Sequence, residues 1–273
     1  MKKLLPILAL FFGNLAVAYD FEQGLAAYKN KHYQAAIENF EEGAALGDPR
    51  AQYWLGYTLD RLGYSGPISE AISRRRQVKK LFRASAEQGY ARAQWALGTL
   101  YASGRWGVKQ DYTKAANWFR LSAEQDFPTA AFALAGLYKD GLGVPQDYTE
   151  AAKWYQLSAE SGLIGAQYAM GNLNAEGLGV PQSFELAVEW WNLAAEQGLS
   201  VAQEKLGLAY ASGKGVLQNY VKAYMWLNIA AANGSESSGM RRTEVAALMT
   251  RQQIAQAQKM SEECLTSSYE VCG

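Results

Sequence analysis

The chain repeats itself every 36 residues, and this period limits the folds open to it more than any other feature of the sequence. Four tryptophans follow one another at this step, and glycines, valines and alanines follow it in the same register. These residues are Trp118, Trp154, Trp190 and Trp226; Gly141, Gly177 and Gly213; Val144, Val180 and Val216; Ala130, Ala166 and Ala202; and Ala151, Ala187 and Ala223. A repeat of this length predicts helical hairpins stacked in an array.

A single repeat, taken over residues 130–162, divides into two amphipathic segments. The first, helix A, has an apolar stripe at helical spacing, and the glycine-rich stretch that ends in Pro145 predicts a turn after it. Asp147 stands at the N-cap position of the second segment, helix B, which Gly162 closes. The stripes consist of Ala130, Leu134, Leu137 and Tyr138 in helix A and of Ala151, Trp154, Tyr155 and Ala159 in helix B.

The order of these residues resembles the Sel-one-like repeat, a relative of the tetratricopeptide repeat. The best copy matches it at Ala202, Leu206, Gly207, Tyr210, Gly213, Gly215, Val216, Tyr220, Ala223 and Trp226. The resemblance implies an all-α fold, a right-handed αα-hairpin solenoid of about six repeats. We place the units near residues 21–47, 48–89, 90–126, 127–162, 163–198 and 199–234, within a solenoid over 19–234.

Two units and the tail depart from the pattern. The first unit is degenerate, as an end repeat often is. The second lacks the G-x-G-V turn, and its second helix is predicted to be about two turns longer, since Ala71 and Ala86 stand 15 positions apart where Ala151 and Ala159 stand eight apart. Residues 235–273 leave the period, but a capping-box pattern at Thr250 predicts a helical cap.

The first 18 residues have the layout of a cleaved secretory signal. Two lysines precede an apolar stretch over residues 4–17 and the small-residue site Ala16-Val17-Ala18. A permanent anchor is the lesser alternative, because Pro6, Gly13 and Asn14 interrupt a short apolar segment. We therefore expect a periplasmic or secreted protein whose mature form begins at Tyr19. We do not expect it to insert stably into a membrane.

The only cysteines, Cys264 and Cys272, lie close together in the predicted cap. In an exported protein they most simply form one disulfide, and the alternatives are free thiols or intermolecular pairing. Lys and Arg balance Asp and Glu at 26 each, so no net basic field is available to attract nucleic acid.

No catalytic or metal-binding constellation stands out. His32 is the only histidine, and Asp111 and Asp147 recur in register, which is typical of helix caps and not of a carboxylate pair. We expect no cofactor, no metal and no enzymatic activity. Some cysteine-rich members of the family that the chain resembles are β-lactamases, but those carry a cysteine pair in each repeat, unlike this chain.

Aromatic residues recur two positions after the alanine that begins the helix A stripe, at Tyr53, Trp95, Phe132 and Tyr168, and Glu204 takes the next place. This position lies about 200° around the helix from the alanine. One interpretation is an outward-facing ladder that grips an extended peptide or glycan. The alternative is that the rings pack against the helices of the next repeat.

The long second helix of unit two carries a run of basic residues. Four of them, Arg76, Lys79, Lys80 and Arg83, share one helical face, where an acidic partner could dock. The alternative is a solvated outer face.

The resemblance implies an exported scaffold or adaptor that binds a protein partner without catalysis. A narrower alternative is an immunity protein that neutralises a periplasmic toxin. Another is a glycan-binding module of the cell envelope, or a hydrolase such as a Sel-one-like β-lactamase.

Overall fold

The computed structural model describes residues 19–63, 67–270 and 272, and within these ranges the chain forms fourteen α-helices and no strand. The helices are α1 (Phe21–Lys29), α2 (Tyr33–Ala45), α3 (Pro49–Arg61), α4 (Ile68–Glu87), α5 (Ala91–Ser103), α6 (Tyr112–Ala123), α7 (Pro128–Asp140), α8 (Tyr148–Glu160), α9 (Ile164–Glu176), α10 (Phe184–Ala195), α11 (Ser200–Ser212), α12 (Tyr220–Ala232), α13 (Glu236–Ala246) and α14 (Arg251–Thr266). The all-α solenoid of about six hairpins is confirmed. The predicted signal segment, residues 1–18, lies outside the described residues.

The chain divides into two compact units, with the boundary between Gln88 and Gly89. Unit 1 holds the hairpins α1–α2 and α3–α4. Unit 2 holds four further hairpins and the two helices that follow them. Within unit 2 each helix from α5 to α12 packs against the next in the chain, and α14 returns to pack on α12.

Polar N-caps start the second helix of each hairpin in unit 2. The side chains of Asp111, Asp147, Ser183 and Asn219, one repeat apart, each accept a hydrogen bond from a backbone N–H in the first turn. The two aspartates are therefore structural, as the sequence predicts. The capping box at Thr250 is also present, since its hydroxyl and the side chain of Gln253 exchange hydrogen bonds with the backbone.

Helix α4 has 20 residues, whereas the second helices of the other hairpins have 12 or 13. The predicted lengthening is confirmed. The first buried residue of α4 is Val78, so its N-terminal turns extend beyond the part that packs in the core.

Small residues allow the helices of unit 2 to approach closely. Alanines of the two helical stripes are fully buried, among them Ala130, Ala151, Ala166 and Ala187. The tryptophan series lies beside them, and Trp154 packs against core residues of its own hairpin and of the preceding one. The large rings therefore bury area that no single hairpin could cover.

Hydrogen bonds to or from buried polar side chains join the end of helix B to the start of helix A in the hairpins from α3–α4 to α11–α12. The Ser122 hydroxyl donates to the Ala91 carbonyl over 2.7 Å, and Ser158 donates to the Pro128 carbonyl over 2.9 Å. In a second series the amide of Gln197 donates to buried Gln167 over 2.8 Å. Because these groups are satisfied within the hairpin, they can be buried at little cost.

The glycines of the G-x-G turn have two different tasks. The first, as at Gly177 with φ +69°, ends helix A in the left-handed conformation that glycine adopts without strain. The second, as at Gly179, lies against the backbone at the start of helix B in the preceding hairpin, where an added Cβ would overlap the Tyr148 carbonyl. Gly143 and Gly215 make the same approach to Tyr112 and Phe184. The second glycine therefore sets the contact between consecutive repeats.

We predict that Gly179→Ala destabilises the chain more than Gly162→Ala. Both residues have positive φ, +72° and +86°, but nothing lies within 4 Å of a Cβ added at Gly162. In each variant the alanine must adopt a left-handed backbone conformation, which costs about 1–2 kcal/mol. Gly179→Ala should add about 1–3 kcal/mol of steric strain. Urea unfolding followed by circular dichroism measures the difference. Equal midpoints for the two variants would show that the backbone approach does not limit stacking.

Candidate binding groove

The four aromatic residues of the predicted ladder do not share one environment. Tyr53 is only 4% exposed in unit 1, with its ring centroid 5.6 Å from that of Phe82 on α4. The prediction that Tyr53 faces outward is wrong, because the second helix of its own hairpin covers that side of α3. Trp95 in unit 2 is partly buried and packs on Phe127, at 6.0 Å between centroids, as the packing alternative describes.

Phe132 and Tyr168 are the two members of the predicted ladder that the structure brings together. Both line a cavity of about 500 Å³ formed by α7, α8 and α9, which we call niche I. The ring of Tyr155 meets that of Phe132 edge to face at 5.5 Å. Gly165 leaves room beside Phe132, since an added Cβ would come within 3.2 Å of the ring. Polar side chains complete the lining: Lys139, Asp140, Gln146, Asn172 and Glu176.

A second cavity, of about 280 Å³, lies one repeat further along unit 2, and we call it niche II. Its lining includes Phe184, Trp191, Leu208, Ser212 and Lys214, which stand 36 residues after Tyr148, Tyr155, Asn172, Glu176 and Leu178 of niche I. The same position in two consecutive hairpins therefore forms a cavity. The indole N–H of Trp191 donates to the Asn172 side chain over 3.2 Å and links the two niches. We refer to niches I and II together as the groove.

The niches differ in charge. Niche I has carboxylates at Asp140 and Glu176, and Lys139 forms an ion pair with Asp140 at 3.4 Å. Niche II has two ammonium groups above its aromatic rings. The Lys205 Nζ lies 5.7 Å from the centroid of Trp191, and the Lys214 Nζ lies 5.4 Å from that of Phe184. These distances are within the range of cation–π attraction.

The Tyr155 hydroxyl remains protonated at neutral pH. Burial, with a further contribution from the negative charge of Asp140, raises the pKa of Tyr155 to about 12. Niche I therefore offers a neutral phenol, able to donate a hydrogen bond, beside its carboxylates.

The last of the ladder positions is Glu204, whose side chain contacts the start of the C-terminal helices. The carboxylate of Glu204 accepts hydrogen bonds from Ser235 over 2.9 Å and Ser237 over 2.8 Å, and pairs with Arg241 at 2.9 Å. Burial alone would raise the pKa of Glu204, but the serine hydrogen bonds and the Arg241 charge lower it overall. Glu204 thus holds the start of α13 and takes no part in the niches.

The predicted basic face belongs to unit 1, whereas the groove belongs to unit 2. Arg76, Lys80 and Arg83 are exposed on α4, and Lys79 is partly buried. Arg83 lies 3.9 Å from Glu87, one turn away. A docking role for this face stays a prediction.

The two cysteines lie in the core at the end of the chain. Cys264 and Cys272 are paired, with Cα atoms 4.7 Å apart, and both are buried among residues of α10, α11 and α12. Across the described ranges no group of three or more His, Cys, Asp and Glu side chains is placed to hold a metal ion. None of the helices in the described part of the chain is long and apolar enough to cross a membrane.

Sequence reasoning missed most of niche II. It followed one position per repeat, whereas the cavity combines residues from two helices and a turn. The signal was available: a shift of 36 residues from Tyr148 and Tyr155 leads to Phe184 and Trp191. The repeat pattern could not have indicated Lys205 and Lys214, because the equivalent residues of the previous repeat are Ala169 and Leu178.

Comparison with known families supports the repeat assignment. The Sel1 repeat model matches residues 13–48, 49–65, 91–127, 128–163, 164–199 and 200–235. These segments make up more than half of the chain. Among curated proteins, none matches the sequence.

Two solved structures share the fold and at least 30% of the aligned sequence. One is a protective antigen present in uropathogenic Escherichia coli strains and displaying an SLR fold, with 32% identity and a TM-score of 0.74 over 86% of this chain. The match covers 50% of that antigen, so the chain spans about half its length. Another is a Sel1 repeat protein from Oxalobacter formigenes, with 30% identity and a TM-score of 0.71, covering 80% of this chain and 87% of that one.

A more remote similarity links the chain to an immunity protein from Pseudomonas aeruginosa. The identity is 19% and the TM-score 0.43, over 82% of this chain and 84% of that one. At that distance the comparison carries no argument about function.

We predict that Glu204→Gln lowers stability at neutral pH by about 1–2 kcal/mol, because it removes the charge from a hydrogen-bonded carboxylate. Since the folded pKa of Glu204 is lowered from its ordinary value of 4.5, its contribution is present above that pH. It is lost as the pH falls through the folded pKa. The gap in urea midpoint between wild type and variant should therefore narrow in acid. Glu189→Gln, at an exposed position of α10, controls for the loss of charge at pH 7. A gap that persists unchanged in acid would contradict the assignment.

Proposed function

Because the chain belongs to the Sel1 repeat family, we propose that it is an exported scaffold that binds a protein partner without catalysis, and that the groove holds an extended segment of that partner. The observation that carries this proposal is the recurrence of a cavity at equivalent positions of consecutive hairpins. A repeated site fits a ligand that itself repeats, and a polypeptide in extended conformation presents side chains at regular intervals.

The lining of the niches also suits a polypeptide. Aromatic rings and aliphatic side chains form the apolar part of each cavity, and charged or other polar groups complete the lining. Sites of this kind obtain affinity from the buried rings and specificity from a few polar groups. Tyr155 and Trp191 are largely buried, at 4% and 6% exposure, so their positions are fixed before a ligand arrives.

Export is supported by two features of the chain. The first 18 residues have the pattern of a cleaved signal, and the pairing of Cys264 with Cys272 fits an oxidising compartment. The proposed location is therefore the periplasm or the exterior of the cell.

The alternative functions are separated by what the protein retains or turns over. An immunity protein would retain a toxin that reaches the periplasm, and its gene would stand beside an effector gene. A cell-envelope module would retain glycan, and a hydrolase would turn over peptidoglycan or a β-lactam. Capture of a protein segment together with inactivity on those substrates supports the scaffold.

We predict that Phe132→Ala combined with Tyr168→Ala abolishes capture of the partner by the mature protein, because both side chains line niche I. The measurement is affinity purification from periplasm, with the retained proteins identified by mass spectrometry. Leu193→Ala is the matched control, since Leu193 is an exposed apolar residue of unit 2 outside the niches. Thermal unfolding of each variant verifies that the fold is intact. Full capture by a folded double variant would refute the groove as the binding site.

We also predict that the mature protein is found in the periplasm or medium, begins at Tyr19 and carries no free thiol. N-terminal sequencing and thiol labelling under denaturing conditions check both points. Cys272→Ser should cost about 2–3 kcal/mol if the disulfide closes its short loop. A full-length N-terminus in the cytoplasm, with reactive cysteines, would exclude export.

A further inference from the structure

The charge of niche II is not a requirement of the repeat. The positions of Lys205 and Lys214 are taken by Ala169 and Leu178 in the preceding hairpin, and the hairpin folds in the same way there. Each ammonium group lies over a ring of α10, and the preceding hairpin folds without any such contact at these two positions. The repeat fold therefore does not require a lysine at either position.

Both lysines contact an aromatic ring, and no ion pair involves either of them within the described ranges. Lys114, Lys139 and Lys153 of the same unit each pair with a carboxylate, whereas Lys222 also lies over a ring, without an ion pair in the described part of the chain, but lines neither niche. Two uncompensated ammonium groups at one small cavity produce a local positive potential. Both lysines line the cavity, so a ligand anion inside it would lie near two positive charges.

The ligand that these groups fit is a carboxylate on an apolar stem. Trp191 and Leu208 provide apolar surface for the methylenes, and Lys205 and Lys214 provide the counter-charge. We propose that niche II is a carboxylate subsite that takes an aspartate or glutamate side chain of the partner segment. This inference rests on the proposed function, because it assumes that the groove holds a polypeptide.

Niche I supplies the complementary half of the recognition. Its carboxylates, Asp140 and Glu176, surround an aromatic lining, which suits a lysine or arginine side chain. The partner segment therefore carries a basic residue in niche I and an acidic residue in niche II.

The experiment uses an array of synthetic eight-residue peptides, amidated at the C-terminus. Each has a lysine and a glutamate separated by two to five positions with leucine and serine between them. Matched peptides replace the glutamate by glutamine, replace the lysine by glutamine, or replace the glutamate by lysine. The mature protein is applied fluorescently labelled, at low and at high salt.

We expect wild type to bind the lysine–glutamate peptides about tenfold more tightly than those with glutamine in place of glutamate, a difference of about 1.4 kcal/mol. High salt should reduce the preference. Lys205→Glu and Lys214→Glu should each lose it and gain binding to the peptides with two lysines. Such a reversal cannot come from misfolding. Lys222→Glu is the matched control, because Lys222 also lies over an aromatic ring, Tyr210, at 5.5 Å, but outside niche II.

The carboxylate subsite is overturned if wild type binds the glutamate and glutamine peptides equally, if it binds none of them, or if both lysine variants keep the wild-type preference. These outcomes leave the proposed function standing, since that is decided separately by capture with the Phe132 and Tyr168 variant.

Discussion

The second glycine of each G-x-G turn lies against the backbone that begins helix B in the preceding hairpin, and the arrangement of unit 2 depends on this approach. At Gly143, Gly179 and Gly215 any side chain would overlap that backbone. The contact sets how one hairpin sits on the next, and the buried alanines allow the helices to close around it. Because the same contact recurs every 36 residues, equivalent positions of successive hairpins acquire equivalent surroundings.

The groove is a consequence of that equivalence. Once the hairpins stack in register, the rings of Tyr155 and Trp191 occupy the same place one repeat apart, and a cavity opens beside each. The stacking leaves part of each lining free to vary, as the replacement of Ala169 and Leu178 by Lys205 and Lys214 shows. Asp140, Glu176 and Lys139 line niche I, whereas Lys205 and Lys214 line niche II, so consecutive niches of a regular scaffold differ in charge. Glu204, at the next ladder position, is used instead to hold the C-terminal helices.

Unit 1 follows different constraints. Its second hairpin lacks the G-x-G-V turn, and its second helix, α4, is longer, with turns that precede the first buried residue. Phe82 on α4 packs on Tyr53, which removes from the surface the residue that corresponds to Tyr168. The same residue type at the same repeat position is therefore core in one unit and lines a cavity in the other.

The sequence by itself determined the period, the helices, the caps at Asp111 and Asp147 and the length of α4, because these depend on local spacing and on residues next to one another in the chain. Periodicity also placed Tyr53, Trp95, Phe132 and Tyr168 at the same position on the first helix of four successive hairpins. It could not decide which of them are covered, since a helical face is exposed or buried only in relation to the helices packed against it. Each niche brings aromatic rings of a helix B together with side chains of helix A and of the turn that follows it. The same packing places Lys205 and Lys214 over their rings. Only the tertiary structure brings these residues together, because each contact joins segments that are distant in the chain.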